Sequence, residues 1–125
     1  MSFDWAEYQR LAERLRHEEG EAERRSAISR VYYSVFCRAR KYLTDTGFVV
    51  SAMSSGSPQQ VWNEFSKRGR THNPIGLKGK SLHHNRIKAD YEEEVKSLDK
   101  LVAESFITAE AILYYLEQVK DASNG

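Results

Sequence analysis

Hydrophobic residues recur at helical spacing in three stretches of the chain. A first helix is predicted to begin at Asp4, where Asp4 and Glu7 form an acidic variant of a capping box, and to end near Gly20. A second, running from about Ala22 to Thr46, contains neither Gly nor Pro and is therefore long. The last runs from about Ser97 to Lys120. The apolar stripes are Trp5, Tyr8, Leu11, Ala12 and Leu15; Ile28, Val31, Tyr32, Val35, Ala39, Tyr42 and Leu43; and Leu98, Leu101, Val102, Ser105, Ala109, Ile112, Leu113 and Leu116.

The second helix has a wider apolar surface than one neighbour requires. Residues off its main stripe are also small or apolar, namely Ser29, Tyr33, Phe36 and Cys37. A helix that is wet on one face has a narrower stripe. We therefore predict that this helix is central, with a second copy of the chain as one candidate contact.

The region between the two long helices is predicted to be a helical insertion. Residues 48–57 are small and hydroxyl-rich and indicate a loop, and Pro58 then suits the first turn of a short helix carrying Val61, Trp62 and Phe65. Residues 69–80 hold three Gly and one Pro and indicate a second loop, followed by a short helix over about residues 81–89. With no strand pattern and no repeat, the chain is predicted to be all-α, a bundle of four to five helices.

Length and composition narrow the class. The 125 residues suit a single domain over residues 1–125, and 40% hydrophobic with 30% charged residues is typical of a folded protein. A formal net charge of +1 gives no general affinity for nucleic acid or membrane. The single cysteine, the charged N-terminus and the lack of a long apolar run favour a cytoplasmic protein without a membrane segment.

Two strings are more informative than the periodicity. The first is SAISRVYYSVFCR at residues 26–38 on the central helix, and the second is RIKADY at residues 86–91. In this order they resemble the small stand-alone prokaryotic form of the HEPN (higher eukaryotes and prokaryotes nucleotide-binding) family. The resemblance implies an antiparallel up-and-down bundle, usually a homodimer, often encoded beside a nucleotidyltransferase-like partner. Many members resemble RNA-cutting toxins or defence factors, and others are binding modules.

The chain departs from the pattern of the ribonuclease members, which carry an Arg followed a few residues later by a His. Arg86 stands where the arginine is expected, but Asp90 and Tyr91 occupy the region of the histidine. The candidate catalytic residues are therefore Arg86 with His83 or His84, which precede it; the simpler interpretation is that both imidazoles are exposed surface groups.

Asp90 is a poor substitute for a histidine, because a carboxylate with an ordinary pKa of about 3.9 does not carry protons near neutral pH. We predict instead that Asp90 pairs with Arg30, with Tyr33 or Tyr91 completing the hydrogen bonds and Ser29 shaping the same site. This contact would clamp the last helix to the central one.

A basic segment over residues 67–88 is the only like-signed block. Its candidate RNA- or phosphate-binding residues are Arg68, Arg70, His72, Lys78, Lys80 and Lys88. The alternative is a solvated loop, or one that faces Glu92, Glu93 and Glu94. GLKGK at residues 76–80 lacks the spacing of a Walker phosphate loop and no predicted strand precedes it, so no triphosphatase is expected. No cofactor and no metal site are predicted from the sequence.

Three functions follow. The first is a dimeric binding component of a prokaryotic toxin-antitoxin or defence system with a degenerate ribonuclease site. The alternative is an active metal-independent endoribonuclease toxin that uses Arg86. The third is a purely structural assembly domain.

Overall fold

The computed structural model describes residues 2–50 and 57–124, and within these residues it contains five helices and no strand. The prediction of an all-α protein is confirmed. The helices are α1 (Ala6–Leu15), α2 (Glu21–Asp45), α3 (Ser57–Lys67), α4 (Asn73–Tyr91) and α5 (Leu98–Asn124). Helix α1 ends earlier than predicted, and residues 51–56 of the predicted loop lie outside the described residues.

Helix α2 is the central element, as its wide apolar surface predicts. It contacts each of the other four described helices, whereas α1 packs against α2 alone. Its residues Ala27, Ile28, Val35, Ala39 and Leu43 are fully buried. Residues on the second, off-stripe set are also covered, since Ser29, Phe36 and Cys37 are each at most 6% exposed.

Helix α4 is the main departure from the prediction, because it begins at Asn73 and so includes most of the segment predicted to be a loop. Pro74 lies in its first turn, where the missing N–H is harmless. Gly76 and Gly79 are buried against α3. A Cβ on Gly76 would lie 2.5 Å from the carbonyl oxygen of Trp62, and one on Gly79 would collide with the Trp62 ring. These glycines therefore permit close helix packing and do not form turns.

Arg25 of α2 closes the C-terminal end of α4. Its Nη1 donates to the carbonyl oxygens of Ala89 (3.2 Å) and Glu92, and its Nη2 donates to that of Glu93 at 3.1 Å. The last carbonyls of a helix lack partners within the helix. A guanidinium supplied by α2 therefore fixes where α4 stops and how its end sits against the central helix.

None of the five helices that the structure describes combines the length and the apolar character of a bilayer-spanning segment.

Candidate functional site

The two recognisable strings meet between α2 and α4, as predicted. Arg86 Nη2 donates a hydrogen bond to the hydroxyl of Tyr33, and Arg86 Nε lies 3.0 Å from Asp90 Oδ2. Ser29 Oγ donates to the same carboxylate oxygen at 3.4 Å. We call these four residues, Ser29, Tyr33, Arg86 and Asp90, the Arg86 cluster. The helix joined to α2 is α4 and not the last helix, so that part of the prediction was wrong.

The partner of Asp90 also differs from the prediction. Asp90 pairs with Arg86 of its own helix, four residues earlier, and not with Arg30. Residues four apart on a helix are neighbours, so this pair needs no long-range fit. The guanidinium of Arg30 lies instead 4.8 Å from the ring centroid of Tyr8 and 5.4 Å from that of Tyr33.

The Arg86 guanidinium is held in place and only 16% of the side chain is exposed. Its Nε makes an ion pair with Asp90 without a well-aligned hydrogen bond, because the N–H does not point at the carboxylate. Its central carbon lies 5.1 Å from the ring centroid of Tyr33 and 5.9 Å from that of Tyr91. Tyr91 is 72% exposed and contributes only this ring contact to the site.

Tyr32 forms the apolar floor beneath Arg86. It is 1% exposed, its hydroxyl accepts a hydrogen bond from Trp62 Nε1 at 3.2 Å, and burial raises its pKa well above the ordinary value. The tyrosine therefore stays protonated and serves packing, as its place in the core stripe predicts.

His83 lies one turn before Arg86 and differs from its neighbour His84. Its ring centroid is 5.4 Å from that of Tyr32, and its Nδ1 is buried without a hydrogen-bond partner among the described residues. Burial, and then the charges of Arg86 and His84, lower the pKa of His83. The imidazole is therefore neutral near pH 7, while His84 is exposed as the simpler interpretation predicts.

A groove of about 470 Å³ runs between α3 and α4 beside these histidines. Five of its seven lining residues have polar or charged side chains; the lining consists of Gln59, Trp62, Asn63, Lys80, His83, His84 and Ile87. No acidic residue lines it. The groove was not predicted, because it depends on the close approach of α3 and α4 at Gly76 and Gly79.

The predicted basic segment separates into two groups. Arg68 and His72 are structural: Arg68 donates to Glu64 at 2.8 Å and Thr46 at 3.0 Å, and His72 Nε2 lies 2.9 Å from the Tyr42 hydroxyl. Burial and the charge of Arg68 lower the pKa of His72. The remaining residues have no ion-pair partner within the described part of the chain; they are Arg70, Lys78, Lys80 and Lys88.

Of the basic residues of α4, Lys88 lines a cavity together with Glu92 and Glu94, as the alternative predicts, but none of these basic residues forms an ion pair with Glu92, Glu93 or Glu94. On a helical wheel Lys80, His84 and Lys88 share the outer face of α4 with the exposed apolar residues Leu77 and Ile87. Among residues 2–50 and 57–124 there is also no group of three or more metal-binding side chains.

No family model matches the chain, and neither a curated protein nor a solved structure shows significant similarity to it.

Proposed function

We propose that the chain is a HEPN-like protein with an antiparallel up-and-down bundle, acting as a dimeric binding component of a prokaryotic toxin-antitoxin or defence system. Its partner in this proposal is a nucleotidyltransferase-like protein, and its ribonuclease site is degenerate. The HEPN-like kinship rests on the resemblance of residues 26–38 and 86–91, which meet between α2 and α4. The observation that carries the degenerate site is the state of Arg86, whose guanidinium is already bound by Tyr33 and Asp90.

An arginine that stabilises a phosphate in a transition state must present free N–H groups to the substrate. Arg86 instead has one nitrogen on Tyr33 and another beside a carboxylate that offsets its charge. An incoming RNA phosphate would meet a guanidinium that is 16% exposed and an Asp90 that repels it. The cluster therefore suits a structural link between α2 and α4 better than catalysis.

The test is RNA cleavage with metal chelated. Wild-type protein should cut neither structured nor single-stranded RNA faster than Arg86→Ala does, and Arg86→Lys should behave in the same way. Circular dichroism of each variant separates loss of folding from loss of activity. Cleavage by the wild type that disappears in both variants would reject the degenerate site.

The binding role is tested by measuring the oligomeric state and the binding of a partner protein. Sedimentation should give a dimer at micromolar concentration, and a nucleotidyltransferase-like protein encoded beside this chain should co-purify with it at a fixed ratio. A monomeric protein that does not co-purify with such a partner would contradict the proposal, even if no RNA is cut.

The alternative, an active endoribonuclease, is favoured by one observation. His83 is close to Arg86, and its lowered pKa keeps the imidazole neutral, as a general base requires. Under this alternative, His83→Ala abolishes chelator-resistant cleavage, whereas His84→Ala leaves it largely intact because His84 is exposed.

RNA binding without cleavage would use the outer face of α4. Changing Lys80 and Lys88 together to Ala should weaken binding and flatten its salt dependence, by about 0.7 in the log–log slope for each lost contact to a single strand. Arg14→Ala on α1 is the matched control, since Arg14 is an exposed arginine on a different helix. An equal loss of RNA affinity in the α4 variant and in Arg14→Ala would show that this face of α4 does not bind RNA specifically.

A further inference from the structure

The groove between α3 and α4 continues along the exposed side of α4 as a stripe that is both basic and apolar. The residues that share this side are Leu77, Lys80, His84, Ile87 and Lys88, and we call them the α4 stripe. Leu77 and Ile87 are 57% and 38% exposed. The stripe covers about three turns of helix, or about 16 Å. That length suits a segment of a macromolecule better than a small ligand.

The hairpin formed by α3 and α4 carries an excess of positive charge. Residues 57–91 contain seven Lys and Arg residues and two acidic residues, whereas the whole chain has a formal net charge of +1. The two acidic residues, Glu64 and Asp90, are each paired with an arginine four residues away. The hairpin is therefore cationic, and the rest of the chain is acidic overall.

Lys80 and Lys88 present part of this excess on the α4 stripe. Neither has an ion-pair partner among the described residues, although Lys88 lies near acidic residues that follow α4. On the α3 side of the groove, Gln59 and Asn63 are exposed and add amide groups that can donate or accept hydrogen bonds. Because no acidic side chain lines the groove, an incoming carboxylate meets no like charge there.

The apolar residues distinguish between the two kinds of anionic macromolecule that this charge would attract. Single-stranded nucleic acid gains affinity when its bases stack on exposed aromatic rings. Apart from the histidines, the only ring that lines the groove is that of Trp62, which is 1% exposed. Leu77 and Ile87 are aliphatic instead, and exposed aliphatic groups bordered by polar ones are typical of a surface that binds protein. These observations favour an acidic protein segment over RNA.

We propose that the α3–α4 groove and the α4 stripe bind an acidic amphipathic helix of a partner protein. The partner helix would place its apolar face on Leu77 and Ile87, as in other complexes in which a helix binds a groove between helices. Its carboxylates would lie beside Lys80 and Lys88. About three turns of the partner helix would be covered.

This inference goes beyond the proposed function and does not rest on it. Arg86 lies on the side of α4 that faces α2, where it binds Tyr33, whereas the α4 stripe is exposed. RNA cleavage, dimer formation and binding of a nucleotidyltransferase-like protein can each be absent while an acidic helix binds. Failure of one proposal is therefore distinguishable from failure of the other.

Fluorescence anisotropy with a labelled synthetic peptide tests the proposal on the full chain. The peptide has about 18 residues, with Leu at three- and four-residue spacing on one face and Glu on the flanking positions. Binding should saturate at one peptide per chain. It should be at least about ten-fold tighter than that of a scrambled peptide of the same composition, whose Leu residues do not share a face.

Ile87→Glu should weaken binding of the peptide at least about ten-fold, because it places a carboxylate in the apolar part of the α4 stripe. The matched control is Ile107→Glu, at a 67% exposed isoleucine of α5, which should leave the affinity unchanged. Leu77→Glu provides a second variant of the stripe. Circular dichroism must show that each variant is folded as the wild type is.

Charge reversal tests the ionic part of the contact. Changing Lys80 and Lys88 together to Glu should abolish binding of the acidic peptide. The same variant should bind a peptide in which Lys replaces every Glu, and should do so more tightly than the wild type does. Binding of the acidic peptide to the wild type should also weaken as salt is raised.

Four results would overturn the proposal. They are no saturable binding of the acidic peptide, equal binding of the scrambled peptide, an equal loss of affinity in Ile107→Glu and Ile87→Glu, and failure of the reversed variant to prefer the Lys peptide. A single-stranded RNA of the same formal charge serves as competitor. If this RNA displaces the peptide and binds more tightly than it, the surface belongs to nucleic acid and the proposal is rejected.

Discussion

Replacing Gly76 by Ala should destabilise this protein, although the same change in an exposed helix stabilises. Gly in a helix interior costs about 0.5–1 kcal/mol relative to Ala, so helix propensity alone favours the substitution. The added Cβ would lie 2.5 Å from the Trp62 carbonyl oxygen and 2.7 Å from the Ser66 amide nitrogen. Both are backbone atoms of α3 and cannot rotate away. Because overpacking costs about 1–3 kcal/mol, we expect a net loss of about 1–2 kcal/mol.

Thermal unfolding followed by circular dichroism measures this loss. An unfolding entropy of about 2.1 cal/mol/K per residue gives about 0.26 kcal/mol/K for 125 residues, so Tm should fall by about 4–8 °C. The matched control is Ser81→Ala, at an exposed position of the same helix, where the change removes no contact and Tm should stay or rise slightly.

A Tm for Gly76→Ala that rises as much as that of Ser81→Ala would refute the reasoning. It would mean that α3 and α4 do not approach closely enough at Gly76 for a methyl group to matter. The groove between these helices would then lose its basis as well.

Three further predictions concern other contacts. Stability should fall as the pH drops below about 6.5. His72 and His83 have lowered pKa values in the folded protein, so the unfolded chain takes up protons first. His72→Gln should therefore reduce the change in the urea midpoint between about pH 7.5 and 5.5. Arg25→Ala should cost about 1–3 kcal/mol in urea unfolding, since it removes charged hydrogen bonds to carbonyls at and just beyond the end of α4, and an unchanged midpoint would contradict that role. Tyr33→Phe should cost about 0.5–1.5 kcal/mol by removing the acceptor of Arg86, and no loss would show that the hydrogen bond is not stabilising.

Patterns within a single segment of the sequence were sufficient to predict some helices, and α2 is the clearest case. The long stretch without Gly or Pro predicted α2, and its wide apolar surface predicted its central position. The start of α4 was missed because Gly76 and Gly79 indicate a loop when only neighbours in sequence are considered. Glycine is needed at both positions because a side chain there would collide with Trp62, which lies on another helix. No pattern within the segment contains that information.

The site shows the same division. The meeting of the two strings was predicted, but the ion pair was assigned to Arg30 although Arg86 and Asp90 already stood four residues apart, a spacing that favours pairing on one helix. That signal was present in the sequence. No such signal in the sequence indicated the hydrogen bond between Tyr42 and His72. These residues are far apart in the chain, and their distance depends on how α2, α3 and α4 pack.

Tyr33 connects two parts of the structure, because its ring lines a cavity between α1 and α2 and its hydroxyl accepts a hydrogen bond from Arg86. A phenol is rigid, so any displacement of the ring also displaces the acceptor of that hydrogen bond. The packing of α1 against α2 and the Arg86 cluster are therefore linked through one side chain, and a change in either one alters the other.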